Sequence, residues 1–241
     1  MSDSEAVTNY SIDGQGVALL RLNRPKSRNA INTQMLVELL EHLAVARGDE
    51  AVRVLVFSST DHLGLSAGAD VREELDSDAH VARMQLFSDL YDAVVAFPKP
   101  TIAACHGDVV GGGAEIAIAC DIRVGGSNLR MRFPGAALGM PVGPARLVTL
   151  CGLGAAKYLL LSSRTVGADE ALRVGLVNCV APAAATESSA LELAGTVAAH
   201  PPEAVARLKR MLHEWDDVEG RSAAEGVGQV EHVRAGNLPE Y

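Results

Sequence analysis

Three consecutive glycines, Gly111-Gly112-Gly113, stand between a short strand-like run, Thr101-Ile102-Ala103-Ala104, and an apolar helical run, Ala114 to Ala119. The strand is set off by the Pro98-Lys99-Pro100 break, and its residues are small or β-branched. A chain that passes from strand to helix through residues without Cβ atoms can bring its backbone N–H groups close to a ligand. The helix start adds unpaired N–H groups and the positive end of its dipole. Such a construction accepts negative charge, whether on a phosphate or an oxyanion. Glu115, in the first turn of that helix, would hold a carboxylate beside the same spot. The stretch is not a dinucleotide fingerprint, because Gly111 to Ile116 lacks the last glycine, and it is not a P-loop. A tight turn with a capping glutamate is the plain alternative.

A second element of the same kind lies upstream. Gly16 to Leu22 predicts a strand, Asn23 to Asn29 a polar basic turn, and the next segment a helix capped by Asn32 or Thr33. Met35, Leu36, Leu39, Leu40 and Leu43 form the apolar face of that helix. Val52 to Phe57 predicts the next strand, so strand, helix and strand imply a parallel pair with a right-handed crossover. Leu65-Ser66-Ala67-Gly68-Ala69-Asp70 then follows this strand as the glycine cluster follows the later one. Asp70 is placed to cap a following helix. Two strand ends that each present bare N–H groups can converge on one oxygen.

Bulk properties narrow the partners. A net charge of −9 excludes nucleic acid and anionic membranes as natural ligands, and 4% aromatic residues leave little for base stacking. The four cysteines, Cys105, Cys120, Cys151 and Cys179, form no C-x-x-C pair and read as reduced core residues of a cytoplasmic protein. The first residues carry no signal-peptide pattern, and no apolar run is expected to reach membrane-spanning length.

The ordered set Leu22-Asn23-Arg24-Pro25, Ser66-Ala67-Gly68-Ala69-Asp70, Lys99 to Gly107, and Gly111-Gly112-Gly113-Ala114-Glu115 resembles the successive motifs of the crotonase (enoyl-CoA hydratase/isomerase) superfamily. Leu161 to Ala171 and Gly175-Leu176-Val177 continue the resemblance, which runs from about residue 16 nearly to the end. It implies an α/β fold: a crotonase-like spiral of ββα units over residues 1–180, with a helical region over 181–241 that covers the site and builds homotrimers or dimers of trimers. It implies an acyl-CoA substrate, with no cofactor or metal. The N–H groups of Ala69 and Gly112 would form an oxyanion hole for the thioester carbonyl, and Glu115 would be the acid/base. Arg24, Lys26, Arg28 and Arg72 would meet the adenosine phosphates. Ala67, Gly68, Asp70, Gly111, Gly135 and Leu138 would complete the acyl-CoA site.

Two departures qualify that picture. The position expected to carry the second glutamate of a hydratase is Gly135, and Ala136, Ala137 and Leu138 beside it cannot transfer protons. The link from Gly139 to Leu147 is also about three residues shorter than is usual for the family. Hydration of an enoyl-CoA is the first-ranked reaction. Isomerisation or another enolate reaction such as decarboxylation is the enzymatic alternative, and a non-catalytic acyl-CoA-binding protein the alternative of another class. His106 reads as a support of the strand end and Asp108 as a loop hydrogen-bonding residue near the pocket rim, and Ser66 has no evident base. Farther on, helices are expected over 155–162, 168–174, 188–199 and 203–215. Leu208, Met211, Leu212 and Trp215 form a stripe on the last of these that is expected to pack.

Overall fold

The computed structural model describes residues 6–239. Strands β1 (Thr8–Ile12) and β2 (Val17–Leu22) pair antiparallel. Helix α1 (Thr33–Gly48) then crosses to β3 (Val54–Ser59), which lies parallel to β2 as the strand–helix–strand pattern requires. Asn32 caps α1 by accepting from the Met35 amide at 3.1 Å. After β4 (Gly64–Ser66) and α2 (Ser77–Val95) come β5 (Thr101–Cys105), β6 (Asp108–Val110), α3 (Gly112–Ala119), β7 (Ile122–Gly126) and β8 (Arg130–Arg132). The chain continues through α4 (Pro144–Ser162), β9 (Thr165–Gly167), α5 (Ala168–Arg173) and β10 (Cys179–Ala181). It ends in α6 (Thr186–Ala198), α7 (Pro202–Asp216) and α8 (Val218–Arg234).

Ten strands form two sheets among the described residues. The larger runs β1-β2-β3-β5-β7-β10 and the smaller β4-β6-β8-β9. After the β1-β2 hairpin, the pairs β3/β4, β5/β6 and β7/β8, each followed by a helix, send one strand to each sheet, which is the spiral of ββα units with a helical C-terminal region. Alternation along the central strands decides which core each side chain enters. Ala18, Leu20, Leu55 and Phe57 face α1, α2 and α3, whereas Val17, Leu19, Val54 and Val56 face the alanine row Ala190, Ala194 and Ala198 of α6. Burial of each such Leu or Phe contributes roughly 1.5–3 kcal/mol. A domain boundary at residue 180 would fall inside β10.

Several expectations are corrected. Asp70 caps no helix: its carboxylate accepts from the Arg72 amide at 3.1 Å, and α2 is instead capped by Asp76, which accepts from Ala79 at 2.8 Å. The helix expected over 155–162 is the second half of α4, whose axis breaks at Gly152 (φ 75°, ψ 161°). By length and composition α4 is apolar enough to cross a membrane, contrary to expectation. Its buried Arg146, however, ties it to α3 and α8. Cys105 and Cys120 are core residues, but Cys151 is half-buried and Cys179 exposed. The stripe on α7, for which the sequence leaves the packing partner open, is covered by the described residues only in part: Met211 is half-buried, whereas Leu208 is 61% and Trp215 76% exposed. The reason is polar. The buried residue of α7 is Lys209, whose ammonium donates to the Asp121 carboxylate at 2.7 Å and to the Lys99 carbonyl at 3.1 Å.

Candidate active site

Beyond β4 and β6 the chain makes two turns that touch. Gly111 has φ 50° and ψ −119°, which a side chain would resist, and its amide donates to the Arg132 carbonyl at 3.0 Å. A Cβ on Gly113 would lie 2.5 Å from the Cβ of Ser66, so only glycine lets α3 start this close to the end of β4. A Cβ on Gly68 would lie 3.0 Å from the Val110 carbonyl oxygen. Ile31 donates its amide to the Gly68 carbonyl at 2.7 Å, and Asp70 donates to the Ile31 carbonyl at 2.8 Å. The amide between them, that of Ala69, is therefore turned to the opposite side. Gly112 is the first residue of α3, where N–H groups find no acceptor within the helix.

A cavity of about 300 Å³ lies against these turns. Ala67, Gly68, Ala69, Gly111, Gly112, Glu115, Gly135 and Leu138 all line it. Its remaining wall is mostly apolar, with Met84 and Phe87 from α2 and Phe133, Met140 and Val142 after β8. Arg24, Arg28, Asp70 and Arg72 stand outside this wall. Arg24 donates to Asp70 at 2.8 Å, Arg28 to Asp108 at 3.0 Å, and Arg72 lies 3.6 Å from Asp70. His106 reaches the Asp61 carbonyl at 2.8 Å, and Ser66 donates to the Asn29 carbonyl at 2.7 Å, so both are supports of the fold.

Among the described residues, Glu115 is the one carboxylate on the cavity wall. It is 1% exposed, and its Oε2 accepts from Arg146 Nη2 at 2.9 Å and from Nε at 3.3 Å. Its Oε1 is buried without a hydrogen-bond partner among the described residues. Burial pushes the Glu115 carboxyl up to about 7, against the pull of Arg146 and with the help of nearby Glu225. A carboxyl balanced near neutrality is suited to proton transfer in both directions.

Gly135 supplies no second acid, and a side chain at this position would force the turn to shift. A Cβ there would lie 2.5 Å from the Met140 carbonyl oxygen and 3.0 Å from Val142 Cγ1. The tight turn that replaces the expected glutamate is closed on itself by the Met140 amide, which donates to the Gly135 carbonyl at 2.8 Å.

Four residues at the site were not singled out from sequence. Tyr91 lines the cavity, and its ring centroid lies 4.9 Å from Arg146 Cζ. Arg146 itself sits inside the Gly139 to Leu147 link, whose arginine was readable as a buried-charge candidate only by its apolar neighbours. Gln229 lines the cavity from α8, and Glu225 lies one turn before it. Both belong to a segment with three glycines that carries no helix signal.

Comparison with known proteins agrees with this architecture. The family model for enoyl-CoA hydratase/isomerase matches residues 13–227. The 2,3-dehydroadipyl-CoA hydratase of Escherichia coli K12 is 35% identical over 207 residues, covering 85% of this chain and 81% of that protein. The short-chain-enoyl-CoA hydratase of Clostridium acetobutylicum is 33% identical over 213 residues, 86% of this chain and 82% of that one. Among solved structures, a probable enoyl-CoA hydratase from Mycobacterium thermoresistibile superposes with a TM-score of 0.85 at 28% identity, over 97% of this chain and 98% of that chain. The two touching glycine turns, the spiral that carries them and this agreement along most of the length lead to one assignment: the chain belongs to the enoyl-CoA hydratase/isomerase family of enzymes, the crotonase superfamily.

Proposed function

We propose that this enzyme acts on an acyl-CoA through a thioester enolate, with the Ala69 and Gly112 amides holding the enolate oxygen and Glu115 moving the proton. The reading is carried by one observation: a single carboxylate, with one oxygen unpartnered, stands on the cavity wall where the two glycine turns meet. Each well-aimed amide contributes about 3–4 kcal/mol to such a transition state.

Hydration of an enoyl-CoA is the first reading, supported by relatives named as hydratases. One carboxylate can complete it. Water adds through its oxygen to the β-carbon while its proton passes to Glu115, and the double-bond electrons move to the thioester oxygen. Glu115 then returns that proton to the α-carbon as the carbonyl re-forms. Double-bond isomerisation is the second reading, favoured by the closed turn at Gly135. Here Glu115 removes a proton from one carbon of the acyl chain and delivers it to another, so no second acid is called upon.

The basic residues Arg24, Lys26, Arg28 and Arg72 are proposed to meet the adenosine phosphates at the entrance. The helical region after residue 180 is proposed to cover the site, in keeping with Gln229 and Val233 of α8 on the cavity wall, and to build a homotrimer or a dimer of trimers.

Crotonyl-CoA supplied to the purified enzyme should lose its conjugated absorbance. In Glu115→Gln the rate should fall by about 10²–10⁴-fold. A 3-enoyl-CoA that gains conjugation would place isomerisation first. Tight acyl-CoA binding with no turnover of any enoyl-CoA would instead identify a binding protein.

A further inference from the structure

Helix α8 brings to the site a carboxylate that the proposed chemistry leaves unused. Glu225 is outside the cavity wall, yet four donors converge on it. Its Oε1 accepts from the Gly143 amide at 2.8 Å, Arg146 Nη2 at 2.7 Å and Gln229 Nε2 at 2.9 Å, and its Oε2 accepts from the Ala145 amide at 2.7 Å. Hydrogen bonds of this kind are made to the charged form of a carboxyl. Arg146 Nη2 is also the atom that donates to Glu115 Oε2. One guanidinium thus serves two carboxylates, and of the two only Glu115 keeps an oxygen without a hydrogen-bond partner among the described residues.

We propose that Glu225 is a positioning residue of the active site: by taking up the positive charge of Arg146, it leaves Glu115 able both to accept and to release a proton. The proposal rests on the reading of Glu115 as the proton carrier and adds how one carboxylate serves both steps. An arginine devoted wholly to Glu115 would hold it as a base and withhold the acid. Sharing the arginine with a second carboxylate weakens that hold, and Glu225 acts on Glu115 in the same direction as burial does.

The other charged and titratable groups around the cluster come from α2 and β8. Arg146 Nη1 donates to Ser222 Oγ at 2.8 Å, and Ser222 donates to Asp92 at 2.7 Å. Burial raises the Asp92 carboxyl and pushes the Tyr91 hydroxyl well up, so Tyr91 is neutral and Asp92 lies one hydroxyl removed from the arginine. His80 and Arg83 also face the cavity, but Arg83 is engaged by Glu73 at 3.2 Å and the Asp70 carbonyl at 3.0 Å. Arg132 faces it too and gives its Nε to the Ser163 carbonyl at 2.7 Å.

The test is the pH profile of enoyl-CoA turnover in Glu225→Gln. The limb that reports Glu115 should move to lower pH by at least about one unit, a tenfold change in proton affinity. Glu225→Asp, which keeps the charge, should move it back towards the wild type. A rate reduced equally at every pH, with the limb in place, would overturn the proposal and leave Glu225 a structural residue. Should Glu225→Gln fail to fold, infrared difference spectra of the wild type against Glu115→Gln, without substrate, provide an independent check. The Glu115 carboxyl band should titrate within about pH 5–9, and a Glu115 ionised throughout that range would overturn the idea. A band that titrates in an enzyme that turns over no enoyl-CoA would support the proposal and count against the reaction assigned above.

Discussion

At the scale of single residues, Glu115 links the proposed chemistry to stability. Its carboxyl is raised from 4.5 in the free side chain to about 7 by burial, so the folded state binds this proton more tightly than the unfolded one. The stabilisation it contributes is fully present below about pH 4.5 and is lost as pH rises through about 7. Glu187 works the other way. The Arg21 guanidinium, donating at 2.7 and 2.8 Å, holds it below its usual range, so its contribution is lost only in acid. In thermal melts, Glu115→Gln should therefore narrow the gap in Tm between mildly acidic and mildly alkaline buffer. An unchanged gap would mean that Glu115 does not take up its proton on folding. Gly135→Glu tests the opposite wall. It should not restore a second acid, because its Cβ would lie 2.5 Å from the Met140 oxygen. We expect about 1–3 kcal/mol of lost stability in denaturant titrations with no gain in hydration rate. Ala69, Gly112 and Glu115 were legible because their motifs are local. Arg146 and Glu225 were not, because Arg146 is 31 residues from Glu115 and 79 from Glu225, and an ion pair across such distances leaves no spacing to read.

At the scale of elements, strands β2, β3 and β5 and helix α1 followed from apolar period and cap chemistry, whereas β1, α2 and α8 did not. Helix α8 contains Gly220, Gly226 and Gly228, residues that read as breakers. One of them has a packing reason. A Cβ on Gly226 would lie 1.9 Å from Ser88 Oγ and 3.2 Å from Ser88 Cβ, so glycine lets α8 settle directly on α2. The same contact presents Glu225 to Arg146. Gly226→Val should push α8 outward, cost roughly 1–3 kcal/mol and lower turnover by displacing the carboxylate next to it in the chain. Stability from chemical denaturation, measured beside kcat, checks both parts. A variant that melts like the wild type would show that the helices do not need this approach. Helix α4 teaches a related lesson. Its apolar composition satisfied the length of a membrane span, but Gly152 divides it, and its first turn carries the buried arginine of the site.

At the scale of the whole molecule, apolar surface is left uncovered by the chain itself. Leu208, Leu212 and Trp215 on α7 are exposed, as are Leu153, Tyr158 and Leu161 on α4. Exposed apolar side chains of this kind on a helix are suited to an interface, and the oligomer proposed above would cover them. Sedimentation should give a mass of three or six times the 25.2 kDa chain, and Trp215→Glu together with Leu212→Glu should shift it towards the single chain. A wild-type protein that sediments as one chain would remove that proposal while leaving the active-site reading in place. Amino-acid order alone determined strands β2, β3 and β5, the Asn32 cap of α1, the two glycine turns and the carboxylate beside them, because each depends on contacts within a few residues. Only the folded chain decided which arginine shares that carboxylate, why the turn at Gly135 is closed and which apolar face stays bare. Those features arise where helices distant in sequence meet, and their energies depend on burial and on partners that a local pattern does not contain.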